Sequence, residues 1–284
     1  MKDIINFKRN GYIVKRNLIS KKSQEEIFYL LYDLAVATIK KNKKLSTKIR
    51  FSNIEDVSYP KDLKLLDRLL LSILKINKDY IGEIYDTVSY SSTFLKFITN
   101  SKMEFFAKKL LDLKKFNTIY SWTHRIRIDP PKDKRRTYGW HQEIFYTIPD
   151  TRFIQTWCPI VRNTTIKNGT IEICPKSHSK GIANQTWNEI NGRATQILVN
   201  ENVVNNFQKK KLPMKTGDVL FFDPHLFHRS GNNITKNQIR YSLVGMWNDC
   251  NYDKFNPPKP NFISRTLSAK QNFIKLKKIR FKKS

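Results

Sequence analysis

Two periodicities divide the chain. Through residue 117 the apolar positions recur every three or four residues. Ile27, Leu30, Leu31, Leu34, Ala35 and Ile39 form one such series, and Leu63, Leu66, Leu69, Leu70, Ile73 and Leu74 form another after Pro60. That spacing puts each set on one face of a helix. Ser23, followed by Gln24, Glu25 and Glu26, reads as an N-cap with acids in the first turn. A third helical stretch is expected from about Thr93 to Leu113, and residues 6–19 carry a Gly turn and a short β-branched run. From Thr118 to Gly245 the pattern becomes alternating. Short runs such as RIRI, FIQTWCPIV, TIEICP, DVLFF and IRYSLVGMW are separated by turn signals, which predicts strands of a sandwich or barrel. The expected organisation is one domain over 1–284: a mostly helical part (1–117), a β core (118–250) and a basic tail (251–284).

Composition narrows the function classes. With 284 residues and 39% hydrophobic positions the chain is long and apolar enough to bury a core. No run of 18 apolar residues exists and the N-terminus lacks an apolar signal segment, so neither a membrane span nor a secretory leader is expected. Cys158, Cys174 and Cys250 are an odd number without a CxxC pair. That argues against a disulfide framework or a thiolate zinc site and fits a reducing, cytoplasmic setting. The net charge is +29. Much of it is Lys scattered along the chain, as codon usage in an AT-rich genome would produce, yet acids are scarce enough that attraction of anions is also expected. The last twenty residues hold eight basic residues and no acid. A solvated tail is the simpler reading; contact with nucleic acid or a membrane surface is the alternative.

Candidate chemistry rests on five histidines: His124, His141, His178, His225 and His228. His141 and Glu143 form an HxE triplet, and in a strand such residues share a face. Alone the triplet is weak, because a paired surface histidine gives the same spelling. The second element is GDVLFFDPHLFH, a strand followed by His225 and His228. Twelve residues on, Arg240 and Ser242 share one face of the strand IRYSL. A buried Arg there needs a carboxylate. It is met either by an internal Asp or Glu, or by a carboxylate ligand. Two His and one carboxylate with open positions are the facial triad of non-haem iron(II) oxygenases, and an Arg fork suits a dicarboxylate cosubstrate.

These words also resemble a known family. FKRNGYIVKRNLIS near the start, GWHQE at 139–143, NGTIEICPKSHSKG at 168–181, and GDVLFFDPHLFHRSGNN at 217–233 leading to Arg240 are similar, in that order, to the phytanoyl-CoA dioxygenase family of iron(II)- and 2-oxoglutarate-dependent oxygenases. The resemblance implies an α+β, mainly β fold, a double-stranded β-helix (jelly roll, cupin-like) buttressed by N-terminal helices. It implies Fe(II) on His141, Glu143 and His228. It implies 2-oxoglutarate held by Arg240 with Ser242 assisting and Trp157 beside it. Hydroxylation of a small or medium-sized organic molecule, with succinate and CO2 as co-products, is the implied activity, and a basic rim suggests an anionic substrate. Two departures stand out. The family's Asp is Glu143 here, one methylene longer, and its PGSH turn reads Pro175-Lys176-Ser177-His178. The carboxylate at 143 disfavours the halide-binding variant of the chemistry.

Other residues read more plainly. His225 is expected at the rim or in packing. On the strand THRIRID, alternation puts Arg125 and Arg127 on one face and His124 and Ile126 on the other, without saying which lines the pocket. Arg127 is either a ligand contact or a partner of Asp129 or Asp133. Tyr146 and Trp140 read as core aromatics. Two rival functions remain: a non-catalytic binding protein of this fold, and a nucleic-acid-acting oxygenase.

Overall fold

The structure is a computed structural model that describes residues 2–133, 137–146, 151–188 and 196–256. The N-terminal part contributes α1 (Lys2–Asn10), α2 (Lys21–Lys41), α3 (Lys43–Ser46), α4 (Leu63–Ile76), α5 (Asp79–Tyr90), α6 (Ser92–Ile98) and α7 (Ser101–Leu110), with strand β1 (Tyr12–Lys15) after α1. The rest supplies β2 (Ile119–Asp129), β3 (Phe153–Pro159), β4 (Glu172–Ile173), β5 (Gln185–Asn188), β6 (Gln196–Val199), α8 (Glu201–Val204), β7 (Lys210–Lys211), β8 (Val219–Phe222), β9 (His228–Arg229) and β10 (Arg240–Asp249).

The helical reading needs three corrections. The cap of α2 is Ser20, whose side chain accepts from the Ser23 amide, so Ser23 lies inside the first turn. The stretch 93–113 is two helices, α6 and α7. Asn100 ends the continuity because its side chain accepts from the Lys102 and Met103 amides and starts a new helix. Helix α5, DYIGEIYDTVSY, was not expected as an element of its own. Its Gly, Tyr and β-branched residues have weak intrinsic helix preference, and it is held by burying Ile81, Ile84 and Val88.

Antiparallel pairing orders the large sheet β1-β8-β3-β10-β2, and a small sheet is ordered β7-β4-β9. Alternation gives the large sheet two faces. Ile126, Ile128, Ile154, Cys158, Phe221, Tyr241 and Leu243 pack with the helices in one core. Trp157, Leu220 and Phe222 turn the other way and pack with Ile171, Ile173 and Leu212. This is the jelly-roll arrangement, buttressed by helices on one side and packed on the other against Ile173 of the small sheet and the flanking Ile171 and Leu212. A buried polar link ties the helices to the sheet: Asp67 of α4 accepts from Tyr241 Oη at 2.8 Å and from Arg162 Nη2 at 2.7 Å.

Register also settles the strand THRIRID. Asp129 lies opposite Arg240, Ile128 opposite Tyr241 and Arg127 opposite Ser242. Asp129 and Arg127 therefore share with Arg240 and Ser242 the face turned away from the helices. His124 takes the helix side, edge-on to Trp247 at 5.1 Å. Among the described residues no helix is long and apolar enough to cross a membrane. Only residues 251–256 of the basic tail fall within the described residues.

Candidate metal and cosubstrate site

His141, Glu143 and His228 converge. One donor atom from each lies within 4.8 Å of the others. His228 comes from β9, which pairs with β4. His141 is not in a long strand; it makes a single antiparallel bridge to His228, with mutual backbone hydrogen bonds of 3.0 and 3.1 Å. Glu143 follows in a short 3-10 turn, its amide donating to the Pro224 carbonyl at 2.8 Å. The HxE pair is thus brought together by one bridge and one turn, not by the alternation of a strand. Between them, Gln142 is fully buried and points elsewhere. Its amide nitrogen donates to the carbonyls of Gly181 and His225, both at 2.7 Å, and its oxygen accepts from the Ala183 amide. That anchor fixes the turn that carries both flanking ligands.

The imidazoles are oriented alike. His141 Nδ1 lies 2.7 Å from the Gly139 carbonyl and His228 Nδ1 lies 2.9 Å from the Leu226 carbonyl. A carbonyl can only accept, so Nδ1 carries the proton and each Nε2 keeps a lone pair for a metal. Nε2 of His141 and of His228 lie 3.8 and 3.4 Å from Glu143 Oε2. Burial, then the neighbouring His228, pushes His141 down to about 3, so it stays neutral and able to ligate. For Glu143 burial alone would raise the carboxyl, but the neighbouring His228, then His141 and Arg127, hold it below its usual value. Two imidazoles turned with Nε2 toward a carboxylate held below its usual range suit Fe(II).

The expected cosubstrate residues share one wall. Val244 lies opposite Trp157, and Trp157 opposite Leu220. Phe222, on the same face, stacks edge-on against His228 at 4.7 Å. Arg240 and Ser242 continue that face along β10. Ser242 is fully buried and its hydroxyl has no hydrogen-bond partner among the described residues. The amide oxygen of buried Gln155, two residues before Trp157, is in the same condition. Unpaired buried polar atoms are costly, and two on the sheet face that carries Arg240 fit a polar ligand. Gln155 was not singled out from the sequence, although its two-residue spacing from Trp157 was the available signal.

Arg240 sits in the internal pair that the sequence left open. Its Nε and Nη2 donate to Asp129 Oδ2 at 3.1 and 2.7 Å. Its Nη1 donates to the carbonyls of Gly169 and, at 3.1 Å, Gly231. Arg127 takes the same acid, through Nε and Nη2 at 3.3 and 3.2 Å. Burial alone would raise Asp129, but the charges of Arg127 and Arg240 hold it down to about 2. Arg127 also reaches toward the metal ligands, 5.6 Å from the Tyr138 ring, which is itself 5.4 Å from the His141 ring. His225 lies apart from the triad, its Nδ1 3.0 Å from Asp223 Oδ1. Tyr146 is half-buried, 5.9 Å from His141, with its hydroxyl accepting from the Ile197 amide. Trp140 packs with Cys174, Val199 and Phe227.

Solved structures share this fold. SnoK, a non-heme alpha-ketoglutarate-dependent carbocyclase from nogalamycin biosynthesis, has a TM-score of 0.57 at 12% identity over 94% of this chain and 90% of its own. EvdO2 from Micromonospora carbonacea var. aurantiaca, complexed with 2-oxoglutarate, has a TM-score of 0.53 at 16% identity over 91% and 94%. EctD from S. alaskensis with bound Fe has a TM-score of 0.54 at 17% identity over 87% and 76%. The sequence pattern of the phytanoyl-CoA dioxygenase (PhyH) family matches residues 7–242, a span that takes in the opening strand, the triad and β10 as far as Ser242. With the fold shared and the sequence words in family order over that span, the chain belongs to the phytanoyl-CoA dioxygenase family.

Proposed function

We propose that this chain is an Fe(II)- and 2-oxoglutarate-dependent dioxygenase that hydroxylates a small or medium-sized organic metabolite. The observation that carries the reading is the convergence of His141, Glu143 and His228, with one donor atom of each within 4.8 Å of the others and both Nδ1 atoms turned to backbone carbonyls. In this reading those three side chains hold iron. Arg240 and Ser242 take the remote carboxylate of 2-oxoglutarate, and Trp157 forms the apolar wall beside it. Iron with 2-oxoglutarate supplies the oxidising chemistry, with succinate and CO2 as co-products. The chain's part is to orient the imidazoles through the Gly139 and Leu226 carbonyls, to keep Glu143 ionised, and to exclude water with Phe222, Trp157 and Leu220. Arg125, exposed on the same face as Arg127, supports an anionic group on the substrate.

The test is anaerobic titration with Fe(II) and 2-oxoglutarate, followed by admission of oxygen. The reading expects the visible charge-transfer band of a bound 2-oxo acid chelate, then succinate even without substrate. No band and no succinate would favour a non-catalytic binding protein. Once a substrate is found by screening oxygen uptake, incorporation of one atom from labelled O2 into the product separates hydroxylation from epimerisation or ring closure.

A further inference from the structure

Four of the five N–H groups of Arg240 are taken by partners on the protein, and its Nε–Nη2 edge is fully occupied. All three of its guanidinium nitrogens donate, two to Asp129 and the third to the Gly169 and Gly231 carbonyls. A ligand carboxylate cannot dock on the Nε–Nη2 edge while Asp129 Oδ2 occupies it. Yet Ser242, two residues along the same face, keeps a fully buried hydroxyl with no partner among the described residues. An occupied fork beside an unpaired hydroxyl describes a carboxylate site filled from within. The acid that fills it has a second holder. Arg127 Nε and Nη2 reach Asp129 Oδ2 and Oδ1 in a two-pronged contact, and that side chain is the more accessible of the two arginines, 21% exposed against 5%.

We propose that Asp129 is an internal carboxylate that occupies the Arg240 fork in the ligand-free enzyme and yields it to the remote carboxylate of 2-oxoglutarate, staying held by Arg127. This deepens the cosubstrate reading given above and rests on it. The exchange conserves charge-assisted hydrogen bonds: Arg240 trades one carboxylate for another, and Asp129 never becomes an unpaired buried anion, a state that is strongly unfavourable. The Ser242 hydroxyl gains an acceptor. The affinity for 2-oxoglutarate is then what remains after displacing Asp129. A monocarboxylic 2-oxo acid, which lacks the remote group, escapes that competition.

The experiment measures 2-oxoglutarate and pyruvate binding by calorimetry to the full chain loaded with Mn(II) in place of iron, with melting temperatures for each variant. Asp129→Asn keeps the shape and removes the competing charge, so 2-oxoglutarate should bind about tenfold tighter or more, with pyruvate and Mn(II) unchanged. Arg127→Gln should weaken 2-oxoglutarate by about tenfold or more, because Asp129 then has no second holder. Arg127→Lys should recover part of the loss. In the Asp129→Asn background the Arg127→Gln loss should vanish; persistence there would mean that Arg127 touches the ligand directly, which overturns the exchange. Equal or weaker binding by Asp129→Asn overturns it too. If that variant does not fold, an unchanged affinity in Arg127→Gln is the overturning result. Should neither wild type nor Asp129→Asn bind 2-oxoglutarate, the cosubstrate reading fails and the exchange with it. Should wild type bind and Asp129→Asn bind no tighter, only the exchange fails.

Discussion

At the scale of single residues, the backbone does part of the work usually credited to side chains. The main chain of His141 is held by its bridge to His228, independently of the imidazole. His141→Ala and His228→Ala should therefore fold and yet lose Fe(II), since two remaining donors do not close the site. Anaerobic titration of each variant, beside its circular dichroism spectrum, checks this, and full-strength metal binding in both would remove the ligand roles. Lys176 makes a different point. It adopts φ +69°, the left-handed conformation, where the family's spelling has Gly, and its amide still donates to the Asn10 carbonyl at 2.9 Å. The turn survives the loss of glycine, at a cost. Lys176→Gly should raise stability by about 1 kcal/mol, read from the urea midpoint.

At the scale of elements, the strand that carries Arg240 depends on two loops it does not belong to. Gly169 and Gly231 supply the carbonyls that receive Nη1, and they approach one another closely. A Cβ on Gly231 would collide with the Thr170 carbonyl oxygen, and one on Gly169, which has φ +86°, would stand 2.5 Å from the Gly231 carbonyl oxygen. Backbone cannot give way as a side-chain tip can. Gly231→Ala should cost about 2–3 kcal/mol and weaken 2-oxoglutarate binding together with stability. Arg240→Ala removes one member of a buried ion pair, a class of change that costs about 3–5 kcal/mol. Because Asp129 keeps Arg127, the loss should sit near the lower end, about 3 kcal/mol, and a thermal melt of the ligand-free variant measures it. A change below about 1 kcal/mol would mean that the pair does not contribute as described.

At the scale of the whole molecule, stability is linked to pH through buried histidines. Burial brings His124 down to about 4, and burial with the neighbouring His228 brings His141 down to about 3. In the unfolded chain both titrate near about 6.5. The unfolded state therefore binds more protons below that value, and the metal-free protein should lose stability as pH falls from about 6.5 toward 4. Urea midpoints at pH 7.5 and 5.0 measure the slope. His124→Gln should flatten it while leaving metal binding intact, since His124 lies on the helix side of the sheet against Trp247. An unchanged slope in that variant would assign the dependence to the metal ligands.

Local chemistry explains what could be read before the fold was known. Helical spacing in α2 and α4, alternation in β3, β8 and β10, and a few spelled-out words were enough for the layer architecture and to single out His141, Glu143 and His228, which the fold brings together, because periodicity and short motifs are properties of adjacent residues. Even the shared face of Arg240 and Ser242 was legible, as a period of two. Chain pairing is not a local property. The split between α6 and α7 followed from one Asn side chain, and α5 exists because a core covers it. Which face of β2 looks inward was fixed only by its register with β10. The partner of Arg240 was undetermined for the same reason: Asp129 is 111 residues away in the chain and directly opposite in the sheet. A buried guanidinium must find a carboxylate, but only tertiary structure decides whose carboxylate it is.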